Sequence, residues 1–170
     1  MNTNATALRG EAVCARCATM QKTCCQRAEI LVTDGDLDRI RRFAGRDGFW
    51  ERRAPTDPGY SEYDPDDPEW TSLTIAADGT RRVLQRRADG DCTFLGAAGC
   101  VLPVTVRPLV CRLYPHAYTA AGLIGEDHEY CPTVRLGIGA RRMTEVLDIP
   151  DDVAEGWRSQ LYQELRDGAA

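Results

Sequence analysis

Cys14, Cys17, Cys24, Cys25, Cys92, Cys100, Cys111 and Cys131 are the residues of this chain whose type and spacing point most directly to chemistry. Two cysteines separated by two residues, as Cys14 and Cys17 are, can wrap a tight turn so that both sulfurs face one cation. The adjacent Cys24 and Cys25 point to different sides of any regular backbone and rarely ligate one ion together. One of them is expected to join Cys14 and Cys17, and the other to turn toward Cys92, Cys100 or Cys111. Two four-thiolate sites, or one extended polynuclear site, would use every cysteine.

Four thiolates suit tetrahedral zinc and iron-sulfur clusters alike. Zinc ribbons use two Cys-x2-Cys knuckles, and this chain has one; its later gaps of seven, ten and nineteen residues are wide and irregular. Cys131-Pro132 is similar to the Cys-Pro that closes bacterial ferredoxin runs. The balance favours an iron-sulfur cluster of the 4Fe-4S type, with zinc as the alternative cofactor. The Cys-x3-Cys-x2-Cys run associated with radical chemistry is absent. Arg107 and Arg112 flank Cys111, and either could donate to sulfur or to an anionic substrate; Arg16 reads as a solvated charge. His116 follows Tyr114-Pro115 close to Cys111 and could replace a thiolate or move a proton, whereas His128 sits among acids and reads as solvated. Gly137-Ile138-Gly139 lacks the third glycine of a nucleotide loop and reads as a helix entrance.

A chain of 170 residues, 43% hydrophobic and 28% charged, can bury a core without covalent staples, so the cysteines are not needed merely for folding. The net charge of -5 argues against nucleic acid as a partner. The opening residues carry no apolar run of signal-peptide length and no later stretch approaches a membrane span, so the expected setting is cytoplasmic. There thiols stay reduced, which favours metal ligation over disulfides. Expected partners are metal ions and a protein or peptide, with no membrane.

The positioning elements follow from local pattern. Gln26 to Val32 reads as a short strand or a helical turn. Thr33-Asp34-Gly35-Asp36 is a helix start, and Leu37, Ile40 and Phe43 at helical spacing with a stop at Gly45 predict a helix over 34–44. Asp57 to Glu69 holds six acids, three prolines and no basic residue, and reads as an exposed loop or lid in which Tyr60, Tyr63 and Trp70 could close over a site. Asp78-Gly79 predicts a hairpin joining 71–76 to 80–85. Cys92 and Cys100 bracket a second small hairpin. Pro108 and Pro115 confine a short helix carrying Cys111, and His116 to Leu123 reads as a strand. A short helix is expected within 139–147. Val153, Trp157, Leu161 and Leu165 recur every four residues, predicting an amphipathic C-terminal helix. The expected fold is α+β, a small irregular metal-stapled single domain with β-hairpins, short helices and that final helix. Its organisation is a flexible N-terminus over 1–13, a cysteine-cluster domain over 14–132 with the acidic insertion at 57–69, and a helical extension over 133–170.

Taken together, these motifs resemble the YkgJ-like cysteine cluster proteins, the CxxCxxCC family of zinc- or iron-chelating domains. Cys14, Cys17, Cys24 and Cys25 are similar to its opening cluster, Thr33 to Arg39 to its acidic helix start, and Cys92-Thr93-Phe94-Leu95 to its Cys-x-Phe-Leu element. Cys100 and Cys131 resemble its later cysteines, and Arg107-Pro108-Leu109-Val110-Cys111-Arg112-Leu113-Tyr114-Pro115 resembles its Arg-Pro-x-x-Cys-Arg-x-x-Pro signature. The gap of six residues between Cys17 and Cys24 and the acidic insertion depart from the pattern. The resemblance implies a bound metal serving redox, metal handling or assembly. It also implies, through the related domain of flagellin lysine N-methylases, an alternative as an enzyme of methyl transfer or peptide modification. A structural zinc-binding interaction module is the remaining alternative.

Overall fold

The structure, a computed structural model, describes residues 10–168, with side chains from Ala15 onward. Residues 1–9 of the expected N-terminal tail lie outside the described residues, and the first helix, α1 (Gly10–Met20), already begins before Cys14. A single helical turn, α2 (Cys24–Arg27), leads to an extended segment at Ile30–Val32. The helix α3 (Asp34–Ala44) then starts and stops where the sequence indicates. Thr33 Oγ1 accepts from the Asp36 amide at 2.9 Å, and the Thr33 amide returns a bond to Asp36 Oδ2 at 3.1 Å. These reciprocal bonds satisfy donors that a helix start leaves open.

Among the described residues, three separate two-stranded antiparallel sheets stand in place of a continuous one. The strand β1 (Trp50–Arg53) pairs with β2 (Arg81–Leu84) in the register Trp50 to Leu84 and Arg53 to Arg81. On the other side of β2, Val32 N donates to Arg82 O at 3.1 Å and Leu84 N to Ile30 O at 2.9 Å. β2 is thus flanked on both edges. The predicted hairpin from 71–76 is corrected here: Trp70–Thr74 is a short helix, α4, and β2 takes its partner from earlier in the chain. The Asp78-Gly79 turn itself is present, with Gly79 at φ +78° and the Asp78 carboxylate accepting from Thr80, but no strand enters it.

A tight hairpin of β3 (Leu95–Gly96) and β4 (Gly99–Cys100) follows, then α5 (Leu109–Leu113), which carries Cys111. The stretch from His116 is a hairpin of β5 (His116–Thr119) and β6 (Gly122–Glu126), where the sequence suggested one strand. Two single turns, α6 (Thr133–Leu136) and α7 (Met143–Val146), precede the long α8 (Asp151–Gly168). The fold is therefore mixed α+β with short helices, small hairpins and a C-terminal helix. Among the described residues no helix is long and apolar enough to cross a membrane.

Alternation along Ile30–Val32 divides the core. Ile30 and Val32 face a cluster with Leu37, Ile40, Phe49, Leu84, Phe94 and Leu102, while Leu31 faces Leu109 and Leu113 of α5 and Ala154, Leu161 and Leu165 of α8. Val153, expected on the buried stripe of α8, is instead exposed, because Ala154 takes the inward position one residue later. Polar ties reinforce this arrangement. Asp36, fully buried, accepts from the Leu109 amide at 3.0 Å and from Arg39 at 2.5 Å, and Arg39 reaches Glu164 of α8 at 2.6 Å. Burial pushes the Asp36 carboxyl up, against the opposing pull of the Thr33 amide and Arg39. Gly35 permits the close approach, since a side chain there would collide with the Glu164 carboxylate.

The acidic segment is not simply solvated. Asp57 caps a turn of 3-10 helix at Pro58–Ser61, Glu69 pairs with Arg166 at 2.6 Å, and Asp67 is buried against the Tyr162 hydroxyl. Arg166 and Tyr162 of α8 supply partners that the segment lacks within itself.

Glu126 shows how a carboxylate can begin a helix from another strand. Its oxygens accept from the Met143 and Thr144 amides at 3.1 and 3.2 Å and from the Thr144 hydroxyl, and Arg142 lies at 3.2 Å. Burial opposes the charge, but these donors outweigh it and hold the carboxyl below its ordinary range. Its stabilising contribution is therefore complete above that range and is lost as pH falls through the depressed value. Glu126→Gln should cost about 1–2 kcal/mol in urea unfolding at pH 7. The difference from the parent protein should shrink toward zero in acid.

Candidate metal centre

Seven cysteine side chains, Cys17, Cys24, Cys25, Cys92, Cys100, Cys111 and Cys131, line one cavity of about 90 Å³. The Cys14 side chain lies outside those described; its backbone is in α1, one turn before Cys17. The pair expected to wrap a tight turn is therefore carried on a helix. The remaining wall is largely apolar, with Ile30, Leu84, Phe94, Leu102 and Met143, and it includes the Arg107 side chain.

Backbone bonding sets the thiols in place. Thr23 caps α2 through reciprocal bonds with Gln26, placing Cys24 and Cys25 in its first turn. The Cys92 amide donates to Cys25 O at 2.8 Å, which stitches the loop after β2 to α2. Arg86 fastens the same junction, donating to Gly90 O at 2.6 Å and to Ala28 O. Cys100 ends β4, and Cys111 sits in the middle of α5, whose first amide is held by Asp36.

The cysteines fall into two groups. Cys25, Cys92, Cys100 and Cys111 pack on the same apolar cluster, whereas Cys17 and Cys131 pack with Ile138 and Met143. Electrostatics divides them in the same way. Burial pushes the Cys92 thiol up to about 11, with Cys25 and Cys100 adding to the effect. Burial raises Cys111 further, and Cys25, Cys92 and Cys100 reinforce it. Cys131 is pushed up to about 11 by burial and by Cys17, against an opposing bond from the Tyr114 hydroxyl. Cys25 is the exception: a hydrogen bond from Cys24 lowers it to about 7, helped by Arg107 and Arg86 and opposed by burial. Cys25 is thus the member of the adjacent pair that faces Cys92, Cys100 and Cys111. Among the described residues no group of three or more His, Cys, Asp or Glu side chains is arranged so that it could hold a metal ion. The thiols are neighbours around one cavity rather than a closed coordination shell.

Arg107 stands where a charged partner for sulfur would be useful. It lines the cavity, donates from Nε to Leu102 O at 2.9 Å, and draws down the Cys25 and Cys100 thiols. Arg112 is placed differently: buried, it donates to Arg107 O at 2.8 Å and Thr105 O at 2.7 Å, and so secures the loop that carries Arg107. His116 is buried with Nε2 3.1 Å from Ile149 O, and it borders a second cavity rather than the one that the seven cysteines line. His128 is exposed beside Glu126 at 3.0 Å.

The second cavity, of about 340 Å³, shares Cys24, Ile30, Cys111, Tyr114 and Tyr130 with the first. Glu29, Asp67 and Tyr118 on its wall carry no recognisable motif. Asp67 was concealed in an acidic run that composition marks as solvated, and Glu29 and Tyr118 lie in stretches legible only as short strands or turns.

In metal-free protein near neutral pH, Cys25 should alkylate ahead of Cys92, Cys100 and Cys111, because the thiolate is the reactive form. Peptide mapping after a limiting dose of iodoacetamide reads the order. Cys24→Ala should slow modification of Cys25 several-fold while leaving the slow thiols unchanged.

No family model, curated protein or solved structure matches this chain.

Proposed function

We propose that this protein is a cysteine-cluster metal protein that holds iron-sulfur through two thiolate quartets, Cys25, Cys92, Cys100 and Cys111 in one and Cys14, Cys17, Cys24 and Cys131 in the other. The observation that carries this reading is the convergence of every described cysteine, drawn from six separate segments between α1 and the loop after β6, on one cavity. Protonated thiols can pack as small apolar side chains, but filling a core does not call for seven of them around one cavity. Soft sulfur donors without a complementary set of carboxylates favour iron-sulfur or zinc over hard cations. Ligation would require the thiols to lose protons and draw inward.

The bound group would supply electron transfer or a Lewis-acidic centre. This chain's own residues supply an apolar surround, the Arg107 guanidinium to balance thiolate charge, and α5 as a firm mount for Cys111. The resemblance to YkgJ-like proteins, read from the sequence motifs, supports the same reading. A second reading, a metal-dependent enzyme acting in methyl transfer or peptide modification, is favoured by the larger cavity that shares the Cys24 and Cys111 walls.

Anaerobic purification with metal and sulfide analysis tests the proposal. Iron with matching acid-labile sulfide and a visible absorption that bleaches on reduction is the expected result; stoichiometric zinc in colourless protein would replace iron-sulfur by zinc, and metal-free protein would overturn the reading. Cys111→Ser and Cys17→Ser should each remove one share of the metal, and the double variant should remove both.

A further inference from the structure

Three stretches of this acidic chain, 12–28, 92–125 and 130–144, contain no Asp or Glu, and each contributes cysteine to the wall of the thiol cavity, Cys17, Cys100 and Cys131 among them. They meet in space. Ala15 of α1 lies against Gly99 of β4, where a Cβ would stand 3.5 Å from the Ala15 side chain. Arg135 of α6 donates to Met20 O at the end of α1, and Cys17, Cys131, Ile138 and Met143 pack together beneath.

The outer side of this junction is cationic and partly apolar. Arg16, Lys22, Arg135 and Arg141 are exposed, and none of them has a carboxylate partner among the described residues. Arg27 and Arg142 of the same stretches are already paired, with Glu129 at 3.9 Å and with Asp151 at 3.1 Å. Val134 is 91% exposed and Val101 58%. An open groove of about 550 Å³ runs past α6, lined by His128, Thr133, Val134, Gly137 and Arg141. The net charge of -5 makes the remainder of the molecule strongly acidic, so positive charge left without partners is concentrated where the thiols are covered.

Unpaired surface cations steer an oppositely charged partner and fix its orientation, while small apolar side chains between them supply contact area. A long nucleic acid would meet the acidic remainder, and exposed valines offer phosphate nothing. A bilayer calls for a longer amphipathic element than the single turn of α6. A folded acidic protein presents carboxylates over a limited area and fits both features.

We propose that this face docks a small acidic electron-carrier protein, whose carboxylates meet Arg16, Lys22, Arg135 and Arg141 and whose redox centre is thereby brought to the Cys17 and Cys131 side of the thiol cavity. Each productive encounter passes one electron, oxidising one partner and reducing the other. The docking rests on charge and exposure; the choice of an electron carrier rests on the thiolate reading.

Titration of the purified full chain with a plant-type ferredoxin, an acidic carrier used as the probe, tests the proposal. Binding at low ionic strength should be saturable and should weaken about ten-fold or more at about 0.3 M salt, where exposed charges are screened. Lys22→Glu and Arg141→Glu should each weaken it about three-fold or more, and the double variant about ten-fold or more. Arg42→Glu, which changes net charge equally on the distant face of α3, should leave it within about two-fold. Lys22 is the chain's single lysine, so carbodiimide coupling to ferredoxin carboxylates should yield a cross-linked peptide containing Lys22. No binding, binding insensitive to salt, equal weakening by Arg42→Glu, or tighter binding to a DNA duplex or to phosphatidylserine vesicles would overturn the proposal. Metal and sulfide analysis of the same sample reports separately on the thiolate reading, because neither the titration nor the cross-link requires a loaded centre.

Discussion

One buried carboxylate organises the molecule. Asp36 accepts from the Thr33 amide within its own helix start, from the Leu109 amide at the start of α5, and from Arg39, which continues the chain of bonds to Glu164 on α8. Three helices distant in sequence are thereby registered around a single charge. Burying an ion is expensive unless its lone pairs are filled, so the network works as a geometric constraint more than as a source of net stability. Its value lies in where it puts the start of α5, since Cys111 rides on that five-residue helix.

The cavity built on that frame uses cysteine in two ways. With the proton on, Cys92 and Cys111 are small apolar side chains that complete a core next to Phe94 and Leu102. With the proton off, the same sulfurs are soft ligands. Burial strongly favours the first condition for Cys92, Cys100 and Cys111, and at Cys25 the Cys24 hydrogen bond, helped by Arg107 and Arg86, outweighs it. Cys25 is thus the natural first point of attachment for an incoming electrophile, metal or otherwise.

Much of this was legible from local pattern. The α3 boundaries followed from Thr33, Asp36 and Gly45, the α5 segment from its flanking prolines, and α8 from its four-residue periodicity. What stayed hidden was long-range pairing. Asp78-Gly79 does form its turn, yet β2 pairs with β1 and with Ile30–Val32, because sheet partners are chosen by packing across the core rather than by the nearest turn. Asp67 was unreadable for a similar reason: its partner, Tyr162, is 95 residues away. The division of the cysteines was only half visible. Adjacency required Cys24 and Cys25 to diverge, but nothing in the spacing told which would face Cys92.

The two cavities have Cys24, Ile30, Cys111, Tyr114 and Tyr130 in common, so these side chains belong to both faces of the wall between them. An occupant of the larger space and a charge in the smaller one would therefore act on the same side chains. Thermodynamic reciprocity makes any such coupling two-way: if an occupant of the larger space changed the proton affinity of the sulfurs by some factor, their protonation would change that occupant's affinity by the same factor.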